Sequence, residues 1–344
     1  MVLRLTGFPF RSAPRGHGCG RGALGAAAAV AALGLALTAC GSGHAGGTPA
    51  GGGAGAKGGA GHALHTVMGE VTVGPHPRRV VVLDTDALDS AVTLGVRPVG
   101  ATTVAAGAPV STYLPKNSTA GIKPVGVIGS PDLEAVAALK PDLILGSKAR
   151  DAKSYQQLSA IAPTVFTDTT GPAWRQNFTL HARALDRTGR AAEVEKAYTT
   201  QVKHVVAALG GAAKAKSTTV AFVRFVEGAN TRLYLNDTFV GSLFHDLGLG
   251  RPADQDRDGF SLDVGPEQID KADADVIFRS TYGDPAKARE TDIVGGPLWH
   301  KLTAVRHGRA YAVDDNLWML GIGYTGAGQI LRQIQADYTG GAGS

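Results

Sequence analysis

The sequence predicts an α/β protein of two lobes, each built on a central, mainly parallel sheet, bridged by one long α-helix, with a ligand cleft between the lobes. Short apolar runs rich in Val, Ile and Leu alternate with helix-patterned stretches, which implies parallel strands joined by crossover helices. That alternation occurs twice, once on each side of a stretch with purely helical spacing. About 280 residues are left for the folded part, a length that suits two domains or one bilobed one.

Residues 1–39 read as a secretory leader. Arg4, Arg11, Arg15 and Arg21 occur with no Asp or Glu, and an apolar run of 15 residues, Ala23 to Leu37, follows them. A membrane-crossing helix needs roughly 20 residues, so a permanent span is the weaker reading. Leu37-Thr38-Ala39-Cys40 resembles the bacterial lipobox, which implies cleavage before Cys40 and acylation of its thiol. Several acyl chains on one residue anchor stably, since each buried methylene contributes about 0.8 kcal/mol. Residues 40–62, almost wholly Gly and Ala, cannot bury a core and read as a tether from that lipidated cysteine.

Loss of the leader removes four of 34 basic residues and leaves 30 against 29 acidic ones. The sequence pI near 9.2 therefore gives no support for a nucleic-acid partner. Cys19 goes with the leader and Cys40 carries lipid, so the mature domain has neither a disulfide nor a cysteine metal site.

The N-terminal lobe is expected over 63–172. Strands are expected at RVVVLD (79–84), PVGAT (98–102), PVGVIG (124–129) and PDLILGS (141–147), with helices at DALDSAVTLG and PDLEAVAALK between them. A helical segment covers 173–211. Trp174, Phe178, His181 and Leu185 share one face, a break falls at Thr188-Gly189, and Val194, Tyr198, Val202, Val205 and Leu209 resume the spacing. The second helix, about 20 residues, would span about 30 Å and bridge the lobes. The C-terminal lobe, 212–344, repeats the alternation: TTVAFVRF and RLYL as strands, FVGSLFHDLG as a helix, ADVIFRS and YAVD as strands, then a helix from about Tyr324. Open α/β sheets bind ligands at the C-terminal ends of their strands.

Four segments, TVMGEVTVGPHPRRVVVLDTDALDSAVTLGVRPVG, LEAVAALKPDLIL, GPEQIDKADADVIF and GPLWHKLTAVRHGRAYAVDDNLWMLGIGYTGAGQIL, stand in the order of a known family's signatures. On them the chain resembles the helical-backbone class of ABC-transporter substrate-binding proteins, and most of all the iron-siderophore-binding lipoproteins of Gram-positive, actinobacterial cells. The resemblance implies two Rossmann-like lobes with little hinge motion, and no catalysis. It also implies capture of a ferric siderophore by a monomer on the outer face of the membrane, and transfer to a permease dimer with its ATPase. Iron enters only as part of the cargo, with no resident cofactor and no protein-held metal. One acidic residue per lobe docks on the permease in that family, and the matching positions are Glu134 and Glu267. Both also read as helix N-terminal carboxylates favoured by the macrodipole.

Arg224 closes the strand VAFVRF and Arg279 closes DVIFRS, where a charge must point into solvent or into the cleft. A guanidinium suits the oxygens wrapped around ferric iron; the alternative for each arginine is an ion pair with a loop carboxylate. Trp318 follows the YAVD strand, where the family sets an aromatic against the siderophore. Tyr113, Tyr282 and Arg150 are further ligand candidates, each with a surface alternative, whereas Trp299 reads as core. With two or three arginines, a low-charge ferric hydroxamate fits better than a catecholate or a polycarboxylate complex, and haem and cobalamin are alternative cargoes. DQDRDGFSLDVG imitates a calcium loop but has Gly265 where a bidentate Glu is required, so it reads as a solvated loop near the cleft. GIGYTG matches a dinucleotide fingerprint without the preceding strand and reads as a loop into the last helix. No two histidines pair convincingly on one helix face, which leaves direct zinc or manganese binding as a weaker alternative. A secreted hydrolase lacks a nucleophile elbow.

Overall fold

The computed structural model describes residues 61–340, so the expectations for the leader, for Cys40 and for most of the tether lie outside the described residues. Strands β1 (His62–Thr66) and β2 (Gly69–Val73) form an antiparallel hairpin. The N-terminal sheet has six strands: β3 (Val80–Val82), β4 (Gly100–Thr103), β5 (Lys123–Val127), β6 (Ser130–Pro131), β7 (Leu143–Ser147) and β8 (Thr164–Thr167). They lie in the order β6-β5-β4-β3-β7-β8, parallel except for β6. The sequence reading missed β8, whose four residues, all buried, are too short to show a period.

Burial explains why β3 and β7 read as unbroken apolar runs. Side chains alternate across a strand, so Val80 and Val82 face one buried cluster while Val81 and Leu83 face another. Leu143 and Leu145 divide from Ile144 in the same way. Helix starts are fixed by carboxylates that accept from otherwise unpaired N–H groups. Asp84 accepts from the N–H of Thr85 (2.7 Å) to open Thr85–Thr93, and Asp132 accepts from Glu134 and Ala135 (3.1 and 3.0 Å) to open Leu133–Ala138.

The C-terminal sheet has five strands: β9 (Val220–Val226), β10 (Thr231–Tyr234), β11 (Ser261–Val264), β12 (Val276–Tyr282) and β13 (Ala310–Ala312), in the order β11-β10-β9-β12-β13. Here the simple repeat of parallel alternation needs correction, because β10 runs antiparallel to β9 and β11 antiparallel to β10. Only residues 227–230 separate β9 from β10, too few for a crossover but enough for a hairpin. Strand β11 lies inside the stretch read from sequence as a calcium-like loop.

Between the sheets, helix Trp174–Ala184 is followed by the 21-residue helix Thr188–Ala208, about 30 Å long. The break falls at 185–187, slightly earlier than expected, with Asp186 in the left-handed region (φ 55°). Tyr198, Val205 and Leu209 are buried, with Val194 and Val202 half-buried on the same face. Trp174 sits among Tyr198, Phe239 and Tyr324 with ring centroids 5.7, 5.5 and 4.7 Å away. Its indole N–H donates to Ser242 (3.0 Å), Arg175 pairs with Asp246, and the Tyr198 hydroxyl donates to Asp246 (2.5 Å). One apolar cluster runs continuously from Val80 and Leu145 in the first sheet to Phe222 and Phe278 in the second. A shared core of this kind resists hinge opening, since separating the halves would expose it to water.

Candidate functional site

The C-terminal wall of the site follows from strand register. In the parallel pair β9 and β12, Ser280 stands opposite Arg224 and Arg279 opposite Val223. Arg224 and Ser280 therefore share the face of Phe222 and Phe278. Arg224 grips Asp315 with two bonds, Nε to Oδ1 at 2.7 Å and Nη2 to Oδ2 at 2.5 Å, and the Ser280 hydroxyl also donates to Asp315 (2.7 Å). The side chains of this ion pair are only 12% and 10% exposed. Asp315 is free for the role because its neighbour Asp314 caps helix Asp315–Leu320 instead, accepting from the N–H of Leu317 at 2.8 Å. Outward of the pair lies aromatic surface. The Tyr282 ring, 49% exposed, has its centroid 5.1 Å from the Arg224 guanidinium carbon. Phe260, 55% exposed, packs edge-on against Tyr234, whose hydroxyl accepts from Arg224 Nη1 at 3.3 Å. The sequence reading passed over Phe260; an aromatic standing alone in the polar run DQDRDGF was the available signal.

Buried carboxylates lie behind the N-terminal side of the site. Asp84, at the end of β3, accepts from the Ser147 hydroxyl (3.1 Å) and has Arg150 Nε at 3.4 Å. Burial, reinforced by Asp86, pushes its carboxyl up to about 6. Asp86 accepts from Asn177 Nδ2 (2.8 Å) and is pushed up by burial to about 6. Asp151 has no hydrogen-bond partner on either oxygen, and burial followed by the charge of Asp84 pushes it up to about 7. Asp89 accepts four hydrogen bonds: from the hydroxyls of Thr93 and Tyr113 (both 3.0 Å), and from the N–H groups of Thr325 (3.1 Å) and Gly326 (3.0 Å). Even so, burial pushes it up to about 6. His181 touches Ser90 through Nδ1 (3.0 Å), and burial lowers it to about 4, so it is neutral at physiological pH.

A cavity of about 250 Å3 opens where the walls meet. It is lined by Thr85, Val104 and the 108–113 loop on one side and by Asn316 and Leu320 on the other. Enclosed small-molecule sites run to roughly 300–1,000 Å3, so this cavity holds part of a ligand of that size. Asn316 directly follows Asp315, so the short helix that lends Asn316 and Leu320 to the cavity also carries the partner of Arg224.

Of the residues proposed from sequence, Tyr113 lines the cavity, Arg224 and Tyr282 stand together at the ends of β9 and β12, and Arg150 lies beside Asp84. Two others are turned away from the cavity. Trp318 is completely buried, stacked on Phe222 (5.5 Å) and Phe278 (4.7 Å) with its N–H given to Gln333 (2.9 Å), so it offers the cleft no face. Helix Asp315–Leu320 turns the indole inward, and the residues it turns toward the cavity are Asn316 and Leu320. Arg279 projects from the sheet face opposite to Arg224, beside Val223, and pairs with Glu290, which also accepts from Thr281 (2.6 Å). The alternative raised for it, an ion pair with a nearby carboxylate, describes its position, and Arg224 is likewise paired, with Asp315. Trp299 is buried in the outer cluster with Leu302 and Phe225. Glu134 and Glu267 are both exposed, in the first turns of Leu133–Ala138 and of the 3-10 helix Pro266–Ala272.

Two sheet-based halves with a common core, bridged by one long helix and meeting at a ligand-sized cleft, define a bilobed solute-binding protein. Residues 80–317 match the periplasmic binding protein family, and the chain belongs to it. It is 37% identical over 289 residues to the probable siderophore-binding lipoprotein YfiY of Bacillus subtilis (strain 168), covering 80% of this chain and 86% of the relative. It is 31% identical over 258 residues to the Fe(3+) dicitrate-binding periplasmic protein FecB of Escherichia coli (strain K12), covering 73% and 81%. Among solved structures, Staphylococcus aureus SirA complexed with staphyloferrin B superimposes with a TM-score of 0.72 at 31% identity, covering 80% of this chain and 98% of SirA. Among the described residues no helix is long and apolar enough to cross a membrane.

Proposed function

We propose that the protein captures a ferric siderophore in the cleft between its lobes and delivers it to the permease of an ABC uptake system. The observation that carries the reading is the Arg224–Asp315 pair with the exposed rings of Tyr282 and Phe260 beside it, held by the same helix that lends Asn316 and Leu320 to the cavity. Siderophore-binding relatives at 37% and 31% identity support it. Ligand contacts come from Arg224 and Tyr282 on one wall and from Tyr113 and Arg150 on the other. Cys40 carries the lipid that holds the monomer on the outer face of the membrane. Glu134 and Glu267 dock on the permease, so charge reversal at both abolishes uptake and leaves ligand affinity intact; lost affinity would contradict that role.

The cargo is a ferric hydroxamate of low charge. Arg224 is already neutralised by Asp315, and Arg150 faces several carboxylates, so the cleft has little net positive charge to offer a polyanion. A second reading, a ferric citrate-type complex, is favoured by the dicitrate-binding relative and requires Arg224 to exchange Asp315 for ligand carboxylate. Quenching of tryptophan fluorescence on titration with ferrioxamine B, ferric enterobactin and ferric citrate separates them. Tightest binding of ferrioxamine B is expected, tightest binding of citrate supports the second reading, and tightest binding of enterobactin defeats both.

A further inference from the structure

Glycines at 321, 323 and 326 in GIGYTG match a dinucleotide fingerprint in spacing but form the loop into the last helix. In the fold they admit a carboxylate from the other half of the molecule. A Cβ on Gly323 (φ 151°) would lie 2.2 Å from Asp89 Oδ1, and one on Gly326 would lie 1.8 Å from the carbonyl oxygen of Gly321. The tight turn so formed aims the N–H groups of Thr325 and Gly326, at the start of helix Tyr324–Gly340, directly at Asp89. Unpaired N–H groups at a helix start favour an anion, and here the anion is a side chain on helix Thr85–Thr93. The contact is reinforced by the hydroxyls of Thr93 and Thr325, 2.6 Å apart.

The same carboxylate also holds the cleft. Tyr113 lines the cavity and donates its hydroxyl to Asp89 Oδ2 (3.0 Å), while its carbonyl accepts from Gln329 Nε2 (3.0 Å), one turn further along the last helix. Burial and the charge of Asp89 keep the Tyr113 phenol well above its ordinary range, so it remains a donor. On the other side, the turn gripped by Asp89 follows directly on helix Asp315–Leu320, which carries Asn316 and Leu320 into the cavity and Asp315 to Arg224. One buried group thus joins both walls without touching the cavity itself.

We infer that Asp89 is a positioning residue for ligand capture, fixing the Tyr113 wall against the Asp315–Leu320 wall across the junction of the two halves. The inference rests on the cleft being the ligand site. Its test uses the single variants Asp89→Asn and Tyr113→Phe and the double variant, titrated with ferrioxamine B and ferric citrate. A group that acts through Tyr113 makes the effects non-additive. Asp89→Asn is expected to weaken binding about tenfold, and adding Tyr113→Phe to it changes affinity by less than about twofold. Amide hydrogen exchange on the ligand-free protein gives a readout that needs no cargo. Asp89→Asn raises exchange in 105–114 and 321–326 together, whereas Tyr113→Phe raises it in 105–114 alone. Additive losses of affinity, or faster exchange in 321–326 with 105–114 unchanged, overturn the inference. If the unaltered protein binds neither chelate, the proposed cargo fails, and the exchange pattern alone decides whether Asp89 joins the walls.

Discussion

The two walls of the cleft use charge in opposite ways. On the C-terminal wall the cation is matched, with Arg224 held by both oxygens of Asp315 and covered by Tyr282. Behind the N-terminal wall carboxylates are in excess: Asp84, Asp86 and Asp151 gather near the ends of β3 and β7 with Arg150 nearby, Asp89 sits one turn along helix Thr85–Thr93, and burial pushes each carboxyl up. A matched pair is preformed geometry that a ligand can lean on or compete for. A cluster of carboxyls that burial has pushed up is sensitive to pH near neutrality. The difference gives the C-terminal side a preformed ion pair and the N-terminal side, beside Tyr113 and Arg150, the pH response.

Removing the matched cation breaks the comparison most severely. Arg224→Ala strands Asp315 in a nearly closed site with only the Ser280 hydroxyl for a partner, and breaking a buried pair costs about 3 kcal/mol of stability. Ferric-chelate affinity falls by about a hundredfold in the same variant, since a guanidinium and the seat of the Tyr282 ring are lost together. Calorimetric unfolding and fluorescence titration measure the two effects separately.

A smaller effect sharpens the opposite wall. Asp151 titrates at about 7 in the folded chain against an ordinary 3.8, so the folded state keeps a proton that the unfolded chain releases at lower pH. The stability it contributes is complete below about pH 4 and is lost as pH rises through 7. Asp151→Asn removes that loss. Its unfolding temperature is expected to exceed that of the unaltered protein at pH 8 and to match it near pH 4, by an amount on the order of 1 kcal/mol at the higher pH. A uniform shift at both pH values would contradict the assignment. Asp84, Asp86 and Asp89 act in the same direction over the window from 3.8 to about 6.

The smallest effect is expected at Arg279. Because its side chain leaves the sheet on the face opposite to Arg224, Arg279→Ala changes ligand affinity by less than about twofold while lowering stability through the orphaned Glu290. A large affinity loss in the titration would return Arg279 to the cleft.

Much of the fold was legible because its signals are local. The wholly buried strands β3 and β7 and the mostly buried β9 and β12 announce themselves as apolar runs, and the bridging helix shows one repeating face. Strand β11 was not legible, because its residues are only partly buried and follow a polar loop. For the site, strand-end position drew attention to Arg224 and Arg279 alike but could not tell which sheet face an arginine leaves from; a one-residue step between Arg279 and Ser280 decides that. Trp318 was misplaced for a similar reason, since the direction of a six-residue helix depends on what it packs against. The bond between Asp89 and GIGYTG joins positions more than 230 residues apart, and neither segment names the other.

The central claim is that a ferric chelate sits between Arg224 and the Tyr113 loop. Locating iron by anomalous scattering, in crystals of the protein with the chelate it retains from iron-starved culture medium, tests this most directly. The account predicts a single iron peak in the cleft, facing Tyr282 and Arg224 on one side and the 108–113 loop on the other. Iron bound elsewhere, or a retained ligand with no iron in it, would contradict it.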